Sequence, residues 1–449
     1  MRHLNRASSD PLIFALEDRP PPLRSILAAV AHLAAIVASI MAAPLLLAGV
    51  IGLDEPSTRY VVSASLFISG IATFVQVYRF GWVGSGLLSV QGTSFAFIGP
   101  MAYAAATFPE GTSSEEIAGV LLGSCAAGGI AVAIAGTFLK QVQKIITPVV
   151  AGTVVFLLGI SLVLSAATNL NRIIGAAASS EIYIICIEIA LTFFVILFLS
   201  RAKQPWLRLL SIPIGIVAGC VTALLAGNLQ WNPGGTLDIW FVPQFFRFPL
   251  NIDPLMLAIL MPIFLVSLTE SIGDLTATSS VSQRPIEGAE YGQRLRGGIV
   301  ADGLNTVLAS LFGSFPNTTF SQNNAVIRIT GVASRRVGLV LSILLIIMGS
   351  IPLISAGFLQ IPGSVINGAT IFLFGMIAIT GLGLAVKADP VYGSKVLIGS
   401  TLCAFMLAGL PQLLNLFHIN LPEYAAIIMG FPVATGILIA IILTRVFRA

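Results

Sequence analysis

Apolar residues along this chain come in continuous runs of about 20 residues, separated by short polar stretches. A helix rising 1.5 Å per residue crosses the hydrocarbon of a bilayer in about that length. The runs fall near 25–50, 60–78, 83–107, 116–139, 145–167, 181–200, 210–228, 254–274, 297–315, 316–333, 337–359, 361–386, 392–409 and 424–446. They predict an all-α polytopic membrane protein with fourteen transmembrane segments, the ninth and tenth touching at Phe315-Pro316.

Composition supports this reading: 56% of the 449 residues are hydrophobic and 9% are charged, against roughly a quarter charged in soluble chains. A soluble enzyme, a disordered chain, a nucleic-acid binder and a disulfide scaffold are excluded. The net charge of +4 reads as basic cytoplasmic loops. With both termini placed inside, only Arg59, Arg172 and Arg247 of the 23 Lys and Arg fall in outer loops, and Arg328 falls within a span. Such a bias obeys the positive-inside rule, which an omitted span would scramble. Residues 1–24, polar and containing Glu17-Asp18-Arg19-Pro20-Pro21-Pro22, read as a cytoplasmic tail with no cleavable signal. Cys125, Cys186, Cys220 and Cys403 stand inside apolar runs without CxxC spacing and are expected to be small core residues.

Fourteen spans divide into seven and seven, and an odd number per half forces the second half to enter the membrane from the opposite side. In such inverted repeats the binding site is marked by interrupted segments at matching positions. The third span reads Val83-Gly84-Ser85-Gly86-Leu87-Leu88-Ser89-Val90-Gln91-Gly92-Thr93-Ser94-Phe95, and its mate, the tenth, reads Asn317-Thr318-Thr319-Phe320-Ser321-Gln322-Asn323-Asn324-Ala325. Both carry polar groups that hydrocarbon cannot satisfy. Short extended stretches followed by half-helices are therefore expected to break spans 3 and 10. Close helix packing alone would account for Gly84 and Gly86. It does not account for Gln322-Asn323-Asn324, since three successive amides cannot share one packing face.

Glu188, Glu270, Asp274 and Asp302 are the acidic residues inside apolar runs. A carboxylate at the bilayer centre costs at least ~2.5–3.5 kcal/mol. Glu270 and Asp274, spaced i, i+4, share one helix face, and Asp302, one turn into the ninth span, can join them. Carboxylates sharing a low-dielectric site disfavour each other's ionisation, which suits one of them to carry a proton. For Asp274 and Asp302 a hydrogen-bonded structural role explains the residues equally well. Glu188 is expected at a position outside the site. His32 reads as an interhelix hydrogen-bond partner or a proton carrier, and Arg328 as snorkelling toward the cytoplasmic end. The sequence holds no P-loop, HExxH motif, metal-spaced His/Cys cluster or cofactor fingerprint. Pumping would therefore draw on an ion gradient.

The third-span motif, the Glu270/Asp274 pair, Gly297-Gly298-Ile299-Val300-Ala301-Asp302-Gly303 and the stretch from Gln322 to Arg335 together resemble the nucleobase–ascorbate transporter family, in particular its bacterial xanthine and uric acid permease branch. The resemblance covers essentially the whole chain, Leu16–Pro21 included. It implies a core domain of spans 1–4 and 8–11 (25–139 and 254–359) and a gate domain of spans 5–7 and 12–14 (145–228 and 361–446). It also implies proton symport by elevator movement, a homodimer and a bacterial inner-membrane location. Carried over by motif, Glu270 and Gln322 would hydrogen-bond the purine edge, and Phe95 would stack on its ring. Backbone groups around Ser94 and Ser321 would complete recognition. Asn323 would support the site, and Asp302, Asp274 and His32 would shape it or couple protons. A flat purine wants one aromatic face and in-plane hydrogen-bond groups. The chain departs from the family pattern at Ala325, usually Gly, and at Arg328, usually uncharged. Ser94 stands where some xanthine-restricted members carry Asn, and its smaller side chain leaves room for urate. The rival expectations are transport of an inorganic anion or of another nucleobase such as uracil on the same fold, and a passive channel.

Overall fold

The computed structural model describes residues 12–139, 141, 147–177, 181–229, 239–387, 389–419 and 421–447. Arg2, His3, Arg6, Lys140, Lys144 and Arg448 lie outside the described residues. The first half of the chain runs α1 (Pro22–Ile51), α2 (Glu55–Tyr78), strand β1 (Gln91–Thr93), a 3-10 turn (Phe95–Phe97), α3 (Ile98–Ala105), α4 (Ser114–Thr137), α5 (Pro148–Ala176), α6 (Ile182–Ser200), α7 (Pro205–Leu209) and α8 (Ser211–Leu225). The second half runs α9 (Pro254–Val281), α10 (Gly288–Leu311), strand β2 (Asn317–Thr319), α11 (Gln322–Thr330), α12 (Arg335–Gly349), α13 (Pro352–Leu359), α14 (Gly363–Lys387), α15 (Pro390–Leu416), α16 (Glu423–Met429) and α17 (Pro432–Val446). Eight of the described helices are long and apolar enough to cross a membrane, nine if α12 and α13 count as one bent span.

Local chemistry sets several helix starts. Asp54 accepts the Ser57 N–H at 3.0 Å ahead of α2, and Asp253 accepts those of Leu255 and Met256 at 2.8 and 2.9 Å ahead of α9. Each is followed within two residues by a proline in the first turn, where the missing N–H costs nothing.

The two halves pack as mates. Among the most extensive pairings are α5 with α14, α4 with α10 and α2 with α12. Exchanging halves turns α2–α12 into α10–α4 and leaves α5–α14 unchanged. The α6–α8 pairing likewise has its counterpart in α15–α17. Between the halves β1 and β2 pair antiparallel, Gln91 opposite Thr319, Gly92 opposite Thr318 and Thr93 opposite Asn317. The Ser94 N–H extends the ladder to Pro316 O (2.9 Å), and the Phe320 N–H to Val90 O (2.9 Å). Each strand thus satisfies the other's backbone, which is what extended chain at membrane depth requires. Gly92 is needed for this approach: a Cβ there would lie 2.7 Å from the Phe320 ring and 2.8 Å from Ile40.

One sequence expectation is corrected, that all four cysteines are core residues, and three segments gain detail. The runs 337–359 and 424–446 are not single helices. The first divides into α12 and α13, bent by 72°, and the second into α16 and α17. At both breaks the residue ahead of a proline is extended, Ile351 (φ −107°, ψ 100°) and Phe431 (φ −106°, ψ 98°), because the proline ring disfavours helical backbone before it. Of the cysteines only Cys125 is buried. Cys186 and Cys403 are exposed and Cys220 is intermediate, since an apolar helix in a bilayer presents small residues outward as readily as inward. The tail is tied down over its described part. Ile13 N–H donates to Gly331 O (2.8 Å), Ala333 N–H to Phe14 O (2.9 Å) and Arg335 N–H to Leu16 O (3.0 Å). Leu16 is fully buried and Glu17 meets Arg335 at 3.1 Å. This strap fastens the turn between α11 and α12. Leu16→Asp places an unpaired carboxylate in that apolar seat. Limited proteolysis is expected to cut the 12–18 segment of this variant much faster than that of the parent chain.

Candidate functional site

The 3-10 turn with α3, and α11, leave the two-stranded sheet from opposite ends. Ser94 and Phe95 stand where β1 passes into the first, and Ser321 and Gln322 where β2 passes into the second. The Ser94 hydroxyl accepts the Ala96 N–H at 3.3 Å and starts the helical turn. Phe95 is partly exposed and packs edge-on against Phe374 of α14, with ring centroids 6.4 Å apart. Beyond Phe374 opens a cavity of about 670 Å³ between α1 and α3 on one side and α5 and α14 on the other, with Tyr103, Asn367 and Arg172 in its wall.

Helix α9 runs beside this sheet with Glu270 and Asp274 on one face. Most acidic and amide groups near it are tied to the protein. Thr319 donates to an Asp274 carboxylate oxygen at 3.4 Å, and Thr278 bonds the Asn324 amide oxygen at 2.7 Å. Asn323 donates to Leu88 O at 2.5 Å. His32, wholly buried, lies beside Asn323 without a geometrically formed hydrogen bond at either ring nitrogen. Asp302, 4% exposed, accepts from Gln76 Nε2 at 2.9 Å.

Glu270 and Gln322 differ. Both are partly exposed, and among the described residues neither side chain has a protein hydrogen bond or ion pair. Gly273, nearly one turn beyond Glu270 on α9, is exposed, and a Cβ added there would meet nothing within 4 Å. One carboxylate and one amide therefore border open space, while their neighbours are held in place. Such a pair offers acceptors and donors to the polar edge of a planar ligand. Ser321 is exposed at the same turn. Arg328 is exposed in the last turn of α11, away from Gln322 and Asn323 in the first.

Sequence reasoning did not single out Gln76. Its Nε2 donates to Asp302 Oδ1 and to Gly298 O, each at 2.9 Å, and its Oε1 accepts the Ser85 N–H at 2.8 Å. It thereby joins α2, α10 and the glycine turn ahead of β1. That turn depends on Gly84, whose φ of +98° suits glycine alone among common residues, and whose N–H bonds Gly297 O at 2.8 Å. Glu188 sits outside this cluster, buried on α6, where it accepts from Ser364 at the start of α14 and from Asn228 at 3.4 Å.

Known proteins agree with this architecture. The family model Xan_ur_permease, described as a permease family, matches residues 23–413. The chain is 36% identical to the xanthine permease XanP of Escherichia coli K12 over 447 residues, covering 97% of this chain and 94% of that protein. It is also 36% identical to XanQ of the same organism over 446 residues, covering 99% and 95%. Among solved structures, the transmembrane domain of the cyanobacterial bicarbonate transporter BicA superposes with a TM-score of 0.57 at 13% identity, covering 96% of this chain and 99% of that one. That likeness speaks for the fold alone. The chain is a multi-pass membrane transporter rather than an enzyme, and it belongs to the nucleobase–ascorbate transporter family of permeases.

Proposed function

We propose that this permease imports a purine nucleobase, xanthine and/or uric acid, together with protons. The observation that carries the reading is the division within the site: Glu270 and Gln322 have no protein partner among the described residues, while Asp274, Asp302, Asn323 and Asn324 are anchored. Free groups are available to the ligand and tied groups hold the frame. Glu270 accepts from a purine N–H, Gln322 bonds the adjacent carbonyl edge, and Phe95 covers the ring. Ser94 leaves space beside the purine, which favours acceptance of urate as well as xanthine. The names of XanP and XanQ support the substrate class. The carboxylate at Glu270 speaks against an inorganic anion as cargo, since an anion site would place helix N-termini or a basic side chain there.

Proton coupling follows from the same carboxylates. Glu270 and Asp274 share one face of α9, and Asp302 stands on α10, which packs against it. Moving an ionised cluster across hydrocarbon is costly, so a proton taken up with the purine neutralises the cargo-bearing unit. We assign α1–α4 and α9–α13 to a core that moves and α5–α8 and α14–α17 to a gate that stays. The most extensive helix pairings fall within each group, and the pairs across the boundary, such as α1–α8 and α3–α5, are slight. Both termini lie on the cytoplasmic side of a bacterial inner membrane, as the basic loops indicate, and the permease works as a homodimer. In proteoliposomes, an imposed gradient acidic outside is expected to drive concentrative xanthine uptake that a protonophore abolishes. Equal uptake with and without the gradient would contradict proton symport.

A further inference from the structure

The end of α2 and the start of α10 frame a second cavity, of about 480 Å³, lined by Arg79, Gly81, Trp82, Gln293 and Arg296. None of the recognition residues borders it. Several arginines gather at this end of the protein, and three of them have carboxylate partners. Arg294 pairs with Glu290 at 2.9 Å, and Glu17 holds Arg335 at 3.1 Å and Arg284 at 4.0 Å. The two in the cavity wall have none. Among the described residues neither Arg79 nor Arg296 has a carboxylate within 4.0 Å, and Arg79 Nε is buried without any hydrogen-bond partner. Arg79 also adopts left-handed backbone, φ 62°, which a side chain other than glycine's disfavours. Two guanidinium groups thus line one open volume.

The level of this cavity in the membrane is marked by aromatic residues. Tyr78, Phe80 and Trp82 are 53%, 50% and 61% exposed, and the rings of Phe74, Tyr78 and Phe80 pack on one another at 4.8–5.9 Å. Exposed aromatics at the end of a span form the belt that sits among lipid headgroups. A basic pocket at that depth matches a phosphate in charge and in donor geometry, since each guanidinium offers a planar fork of N–H groups.

We propose that the Arg79/Arg296 cavity binds the phosphate of an anionic phospholipid headgroup. The bound phosphate occupies the space between the two guanidinium groups and ties the α2 end to the α10 start within the core. This site is separate from the nucleobase site and holds whatever purine is carried.

Native mass spectrometry of the purified transporter tests this, with phosphatidylglycerol and phosphatidylcholine added to the parent chain, to Arg296→Gln and to Arg79→Gln/Arg296→Gln. The expected result is one saturable phosphatidylglycerol per chain that phosphatidylcholine does not displace. Affinity should fall about five-fold in the single variant and about thirty-fold in the double. If the double variant fails to fold, the exposed Arg296→Gln alone decides. A third arm adds glycerol 3-phosphate or inorganic phosphate. Binding of either with the same loss in the variants, and no preference for phosphatidylglycerol, keeps the phosphate site but overturns its assignment to lipid. Equal retention of phosphatidylglycerol by parent and variants overturns the site itself.

Discussion

Replacing Glu270 by glutamine is expected to lower purine uptake by about 100-fold or more while the transporter remains in the membrane at parental abundance. Both halves of that expectation come from the same observation. The Glu270 carboxylate has no protein partner among the described residues, so the amide leaves no protein group unsatisfied and the fold has little to lose. The substrate loses more. A hydrogen bond to a charged acceptor contributes about 1.5–3 kcal/mol, and an NH2 facing a purine N–H adds a buried donor without an acceptor. Together these reach the stated factor. A site built on such bonds discriminates steeply against any mismatch of donors and acceptors. Gln322→Glu places a carboxylate where the amide stood and is expected to silence uptake in the same way. Uptake at the parental rate in either variant would remove both residues from the recognition site.

A different loss is expected from Gln76→Leu, which removes a residue from beneath the site. Gln76 is fully buried and serves Asp302, Gly298 O and the Ser85 N–H at once. Leucine would leave a buried carboxylate without its donor and a glycine turn without its anchor. Leaving a buried acceptor without its donor costs about 1–3 kcal/mol, a large share of the stability of an ordinary domain. Detergent-solubilised protein is expected to unfold at clearly lower temperature, and the amount in the membrane to fall. Adding Asp302→Leu removes the stranded acceptor, and the paired variant should recover abundance without recovering uptake. Parental thermal stability in Gln76→Leu would show that the bridge is dispensable.

The parts of this protein that were legible in its sequence are those where a polar residue has no excuse in hydrocarbon. Continuous apolar runs mark the helices. Gln91-Gly92-Thr93 and Asn317-Thr318-Thr319 are too polar for lipid, and β1 and β2 stand at those positions. The i, i+4 spacing of Glu270 and Asp274 places them on one face of α9, although spacing does not say which carboxylate is bound and which is free. Thr319 decides that for Asp274, and its reach depends on the β1–β2 register, which pairs residues over 220 positions apart. Gln76 was illegible for the opposite reason. Flanked by Val75 and Val77 in a long apolar helix, it looks like any isolated helix polar residue, and two of its three partners, Gly298 and Asp302, lie over 220 positions away. The tail strap escaped notice because its contacts are chiefly backbone-to-backbone, and backbone pairing leaves almost no trace in side-chain pattern.

The central claim is that this permease carries a purine nucleobase on the Glu270–Gln322 pair. Uptake of radiolabelled xanthine by cells lacking their own purine transporters, challenged with unlabelled urate, hypoxanthine, uracil and ascorbate, tests it most directly. Saturable xanthine uptake is expected, which urate competes away and which uracil and ascorbate leave intact. Uptake no higher than in cells without the transporter, or uptake suppressed by uracil but not by urate, would contradict it.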